Sequence, residues 1–202
     1  MRAQFAARSG QRERFPEPGL AVSLPGALGS RSEVASDEAF LFALHESIKG
    51  AELAQMRVAG PVRKQLLEMQ FRAMNKGYRS GFPAGRFDII TLNEMPIGRL
   101  ITDRDQRRFH IVYIALLPRW RTKGIATFLM SRVLDEPRSR NIPCEAIVAV
   151  DNQPSARLWS RLGFVERERG LTDFVMEWRP PERSPPVQAA IGAVGRRPPP
   201  AR

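Results

Sequence analysis

The stretch "LLPRWRTKGIATFLM", Leu116 to Met130, carries the reading of this chain. An apolar run stops at Pro118, and Arg119, Arg121 and Lys123 crowd the residues that follow. Gly124 then opens a segment in which Ile125, Phe128 and Leu129 recur at helical spacing. Negative side chains stabilise the start of a helix, where the dipole is positive. Three cations there oppose that preference, and they make sense if an anion from outside the chain docks at the turn. The first N–H groups of a helix lack intrahelical partners and point one way, which makes a ready anion site. Gly124 lets a phosphate approach the backbone, Ala126 keeps the next turn small, and Arg121 can hold a phosphate through two parallel bonds. The loop is neither a Walker A sequence nor G-x-G-x-x-G.

Working outward, "RFDIITL" (86–92), "IGRLIT" (97–102) and "RFHIVYIALL" (108–117) read as strands joined by turns at "NEMP" and "DRDQ", an antiparallel meander. The helix runs from about Thr122 to Leu134. "CEAIVAV" (144–150) follows, near-continuously apolar like a strand buried on both faces. If it lies parallel beside 108–117, the unit is a right-handed βαβ crossover. A short helix (154–161) and a hairpin of "GFVERER" and "TDFVMEW" complete the sequence. Ahead of the meander, "AVSL" near Ala21 predicts a short strand and Pro25–Ser32 a loop. A helix capped at Ser36 or Asp37 carries Phe40, Leu41, Leu44 and Ile48 and ends at Gly50. A second follows Pro61, with Leu66, Leu67, Met69, Phe71 and Met74 apolar, and stops at Gly77. The class is α/β (α+β), in the order β-α-α-β-β-β-α-β-α-β-β.

The 202 residues suit one domain, 19–179, between a flexible tail at 1–18 and a Pro/Arg-rich one at 180–202. A single cysteine, Cys144, excludes an internal disulfide framework and suits a reducing compartment. No apolar segment approaches the length of about 18 residues that a membrane helix needs, and the N-terminus lacks a secretory apolar region. The expectation is a cytoplasmic protein. The net charge of +11 raises the question of nucleic acid. The excess is spread along the chain, however, with no Lys/Arg block of five and no interleaved aromatics, which is the pattern of a solvated basic surface.

The segment "VDNQPSARLWSRLGF" (150–164) decides between an anion loop and a merely basic helix start. Arg121-x-x-Gly124-x-Ala126 resembles the Q/R-x-x-G-x-G/A pyrophosphate loop of the GNAT superfamily of acetyl-CoA-dependent N-acetyltransferases. Asn152, Ala156, Leu158 and Leu162-Gly163-Phe164 resemble its N-x-x-A-x-x-L-Y-x-x-L-G-F segment, with altered spacing between the asparagine and the alanine. The resemblance covers residues 85–178 well and the two early helices loosely. It implies a mixed, mostly antiparallel GNAT-type sheet flanked by helices, acetyl-CoA as co-substrate, and an amine-bearing small molecule or peptide as acceptor. It is compatible with a homodimer.

Carried over to this chain, the resemblance implies that backbone groups of Leu116 and Leu117 bond the pantetheine arm and the acetyl carbonyl, helped by a bulge at that strand end. Arg121, Thr122, Lys123, Gly124, Ile125 and Ala126, with Thr127 one turn on, would hold the pyrophosphate. Asn152 would meet the pantetheine, and Ala156 and Trp159 would line the thiol end. One departure matters. Trp159 stands where the family commonly has a tyrosine that protonates the departing thiolate, and an indole N–H cannot supply that proton near neutrality. Losing such an acid typically removes on the order of 10²–10⁴ in rate. A fold that holds acyl-CoA without turnover and acts through a partner is therefore the second reading.

The acceptor amine must also lose a proton. Tyr113 and His110, both on strand 108–117, are the candidates; three apart, they are expected on opposite faces. Tyr78 and Arg79 would border an acceptor cleft, and Glu46 and Glu68 read as solvated surface. Cys144, His45 and His110 are too few and too scattered to make a metal site.

Overall fold

A computed structural model describes residues 27–55 and 59–181. The expected strand near Ala21 and both tails, apart from Pro180 and Pro181, lie outside these residues. In chain order the elements are β1 (Leu28–Ser32), α1 (Glu38–Gln55), α2 (Gly60–Gly81), β2 (Arg86–Leu92), β3 (Met95–Arg104), β4 (Phe109–Leu116), α3 (Ile125–Val133), α4 (Asp135–Arg140), β5 (Cys144–Ala149), α5 (Gln153–Arg161), β6 (Val165–Arg169) and β7 (Asp173–Trp178). The seven strands form one sheet in the order β1-β2-β3-β4-β5-β7-β6. Every neighbouring pair is antiparallel except β4 and β5. The architecture is therefore the mixed, mostly antiparallel sheet with flanking helices that the family resemblance implied.

One face carries the main core. Leu100, Phe109, Ile111, Ala146 and Val148 of the sheet cluster with Ile125, Leu129 and Met130 of α3, and Trp159, Phe164 and Met176 extend the cluster under α5. On the other face Ile89 packs against Leu41 of α1 and Phe71 of α2. Among the described residues no helix is long and apolar enough to cross a membrane.

Four expectations are corrected. β1 occupies part of the stretch read as a loop, because Leu28–Ser32 completes the edge of the sheet against β2. Both early helices run past the glycines expected to stop them. α1 continues beyond Gly50 to bury Leu53, and α2 continues beyond Gly77 to seat Tyr78 and Arg79. An interior glycine costs a helix only about 1 kcal/mol, less than such tertiary contacts return. Finally, β5 alternates rather than being buried on both faces: Cys144, Ala146 and Val148 point into the core, whereas Ile147 is 56% exposed.

Gly98 on β3 marks the tightest backbone approach. A Cβ placed there would lie 2.3 Å from the carbonyl oxygen of Ala115 and 2.6 Å from a methyl of Leu116. The absent side chain lets β3 hold the end of β4 closely. At Gly77 a Cβ meets nothing within 4 Å. Urea unfolding tests the contrast: Gly98→Ala should lower stability by about 1–3 kcal/mol through overpacking, and Gly77→Ala should raise it by about 0.5–1 kcal/mol. Equal effects from both would overturn the close-approach argument.

Candidate active site

Strands β4 and β5 pair in register only at Phe109↔Cys144, His110↔Glu145 and Ile111↔Ala146. β4 runs on to Leu116 and β5 to Ala149 without pairing, so the sheet opens into a V at its centre. The Leu117 N–H donates to the Ile97 carbonyl at 2.9 Å and so points at β3. Strand groups alternate between edges, which leaves the N–H of Leu116 and both backbone groups of Ile114 facing the gap. The expectation for Leu117 is therefore revised: its donor is already engaged, and Leu116 with Ile114 supplies the open edge. The Leu116 carbonyl is also taken, accepting from Arg121 Nε at 2.8 Å.

The loop after β4 makes a short 3₁₀ turn at Pro118–Trp120 and enters α3 through two left-handed residues, Thr122 (φ 58°) and Gly124 (φ 76°). Gly124 is the N-cap, and no side chain caps the helix. Glycine is at home in this conformation, whereas threonine carries some strain there. The first intrahelical bond runs from Phe128 N–H to the Gly124 carbonyl. Among the described residues no acceptor meets the backbone N–H groups of Thr122, Lys123, Gly124, Ile125, Ala126 or Thr127. Six consecutive open donors at a positive helix end make a strong anion cradle. Trp120, which sequence reasoning passed over, packs against the core with its indole N–H buried and without a partner, and Lys123 Nζ sits 5.0 Å from its ring centre.

Opposite, α5 follows directly from β5. Asn152 Oδ1 caps it by accepting from the Ser155 N–H at 3.2 Å. Counting back from Leu158-Trp159 puts Ser155, not Ala156, at the motif's alanine position. Ser155 Oγ accepts from Trp159 Nε1 at 3.0 Å, and Trp159, only 2% exposed, packs against Phe164 at 5.0 Å between ring centres. The indole is thus a core residue whose single donor is committed within its own helix.

The β3–β4 pairing slips between Ile101↔Tyr113 and Thr102↔Ile111, making Val112 a bulge. It lies nearer the apex of the V than the strand end where it was expected. The extra residue resets the alternation, so His110 and Tyr113 share a face instead of opposing each other. Both meet α2 or its end: Tyr113 packs on Tyr78 at 5.5 Å and His110 on Phe82, the residue just past the helix, at 5.6 Å. Burial pushes the Tyr113 phenol up to about 12, with Tyr78 adding to the shift. It keeps its proton at neutral pH and cannot serve as a base.

His110 is buried, and its Nδ1 has no partner. Burial lowers its pKa, Arg108 lowers it further, and Glu145 and Asp103 oppose the shift. Register places Asp103, His110, Glu145 and Glu177 side by side across β3, β4, β5 and β7. This row of titratable groups at the apex of the V was not legible before the strands were paired. Glu177 is held by Arg179 and, more weakly, by Arg167, whose hydrogen bonds keep its carboxyl below the usual range against the opposing effect of burial. Arg79 is structural: it bonds Glu33 and stacks on Phe87. The same Glu33 accepts from the buried Arg99, which also bonds Asn75 of α2.

The sequence matches the model of the acetyltransferase (GNAT) family over residues 63–164, just over half of the chain. The chain belongs to that family. Solved structures agree on the fold. A PaiA N-acetyltransferase from Thermoplasma acidophilum, in complex with coenzyme A, is 17% identical with a TM-score of 0.57, over 76% of this chain and 99% of its own. The RimL ribosomal L7/L12 alpha-N-protein acetyltransferase, also in complex with coenzyme A, is 14% identical with a TM-score of 0.54, over 76% and 94%. Ard1 from Thermoplasma volcanium is 17% identical with a TM-score of 0.51, over 77% and 99%. No curated protein matches in sequence.

The buried histidines make stability depend on pH in a definite direction. The pKa of His110 is lowered, as is that of His45 on α1 through burial and Lys49, so the unfolded chain binds protons more readily than the native one. Stability should be intact above the unfolded histidine value of about 6.5 and fall as pH drops through it toward the folded values. His110→Gln should flatten this fall below about pH 6.5 in urea titrations. An unchanged slope would mean that His110 is not buried neutral.

Proposed function

We propose that this protein is an acetyl-CoA-dependent N-acetyltransferase in which an amine attacks the thioester directly. The observation that carries the reading is the run of six open N–H donors from Thr122 to Thr127 beside the unpaired edge of β4. A diphosphate suits the first and an extended amide-bearing arm suits the second. The donor set fits the group: backbone N–H groups at a helix start and the Lys123 ammonium offer hydrogens and no competing acceptor. Arg121 contributes mainly by tying the loop to Leu116. When bound, acetyl-CoA supplies an acetyl group activated as a thioester.

The chain's own residues then have separable tasks. The Leu116 N–H and the Ile114 edge orient the arm. Neutral His110, flanked by Glu145 and Asp103, accepts the proton that the amine must shed. An alkyl ammonium of pKa about 10.4 needs roughly three units of help at neutral pH, so a proton acceptor at the apex of the V has a clear use. Tyr113, protonated up to about 12, donates a hydrogen bond toward the departing sulfur instead of acting as base. Trp159 takes no part in the chemistry, and Asn152, Ser155 and Ala156 shape the far wall. The acceptor enters from the face of Tyr78, Tyr113 and Ile147.

A second reading, acyl-CoA binding without turnover, draws on the buried Trp159 at the position of the family's acid. Calorimetry with acetyl-CoA and a thiol-release screen over an amine library separate the two. We expect micromolar binding by the wild type, abolished by Gly124→Glu. His110→Ala should bind acetyl-CoA normally but lose on the order of 10²-fold or more in turnover, as for a missing general base. Binding with no thiol release from any amine would establish the second reading. No binding by folded wild type would overturn both.

A further inference from the structure

On the sheet face opposite His110, strands β1–β3 and the later turns of α3 enclose an open groove of about 350 Å³. Its walls include Leu28, Leu100, Leu129 and Val133. Asp88 lies among them and is 3% exposed. One carboxylate oxygen, Oδ2, sits 2.6 Å from Arg86 Nε, but Oδ1 is buried with no partner. A carboxylate oxygen removed from water and left without a donor is unfavourable, so it marks a place for an incoming N–H or O–H.

The other charges sort themselves by their partners. Arg104 is satisfied by Glu136 at 2.6 Å and by the Thr102 hydroxyl at 2.7 Å. Arg132 lines the same groove with its guanidinium 5.2 Å from the ring centre of Phe128, and among the described residues no carboxylate lies within ion-pair distance of it. The groove therefore holds one carboxylate oxygen without a donor, one guanidinium without a carboxylate, and an aliphatic wall. The complementary ligand bears a cationic donor, an anionic group and an apolar body.

We propose that this groove binds a free α-amino acid with an aliphatic side chain, its ammonium on Asp88 Oδ1 and its carboxylate on Arg132. The volume lies at the lower end of small-molecule pockets, about 300–1,000 Å³, which suits a single amino acid. Arg132 and Val133 lie at the opposite end of α3 from the anion cradle at Gly124, so the ligand does not compete for that cradle.

Titrating the full-length protein with L-leucine, by calorimetry and ligand-observed NMR, tests this. A Kd of order 1 mM or tighter is expected for so small a ligand. 4-Methylpentanoate, which lacks the ammonium, and leucine amide, which lacks the carboxylate, should each bind about tenfold more weakly. Arg132→Gln changes an exposed side chain and should lower leucine affinity about tenfold while leaving acetyl-CoA affinity unchanged. Asp88→Asn keeps the shape and should do the same to leucine; if it does not fold, Arg132→Gln and the two analogues decide. Absence of saturation at about 10 mM leucine by folded protein would overturn the proposal and leave Asp88 Oδ1 to water. Wild-type affinity in Arg132→Gln, or equal binding of the three ligands, would overturn it as well.

Discussion

The parting of β4 from β5 after Ile111 and Ala146 is the constraint on which the rest of this molecule depends. Two parallel strands with apolar faces would ordinarily continue to pair, because unpaired backbone groups inside a sheet are costly. Here β4 is drawn toward β3 through the close contact at Gly98, while β5 follows β7 through six registered pairs. The sheet thus has strong halves joined by three weakly coupled pairs. The gap leaves backbone donors and acceptors open in a protected place, and the loop leaving β4 delivers the start of α3 to its mouth.

The bulge at Val112 works at the apex of this gap. By adding one residue to β4 it turns Tyr113 onto the face of His110 and lets both meet α2 or its end. The placement of α2 is itself over-determined. Glu33, just after β1, accepts from Arg79 on α2 and from the buried Arg99 on β3, and Arg99 reaches Asn75. Removing the carboxylate would leave a buried guanidinium short of partners, a far larger cost than an exposed pair carries. The aromatic pair of Tyr78 and Tyr113 is therefore held by a polar clamp some distance from it.

Much of the fold could be read from residues alone, for identifiable reasons. The strands of the meander and the helix at α3 show a clean change of period, and Gly124 with its flanking cations marks the turn between them. The helix ends were less legible. Gly50 and Gly77 look like stops, but a glycine's local cost is small beside one more buried turn. β1 was missed because "LGSRS" has no strand pattern of its own and is strand only by completing an edge. The spacing from Asn152 to Trp159 misled in another way: Ala156 matches by residue type, whereas Ser155 matches by position and makes the contacts.

What the sequence determined by itself was the meander, the strand-to-helix turn at Gly124 and the family, because each rests on local spacing that survives without tertiary information. The tertiary structure alone decided which side chains share the apex of the V. A single bulge reverses the facing of every residue beyond it, and register brings Asp103, His110, Glu145 and Glu177 together from four strands scattered over the chain. It also decided that Trp159 is core and that the donor of Leu117 is already engaged. Those outcomes depend on which backbone edge meets which neighbour, and the chain reports that only once it is folded.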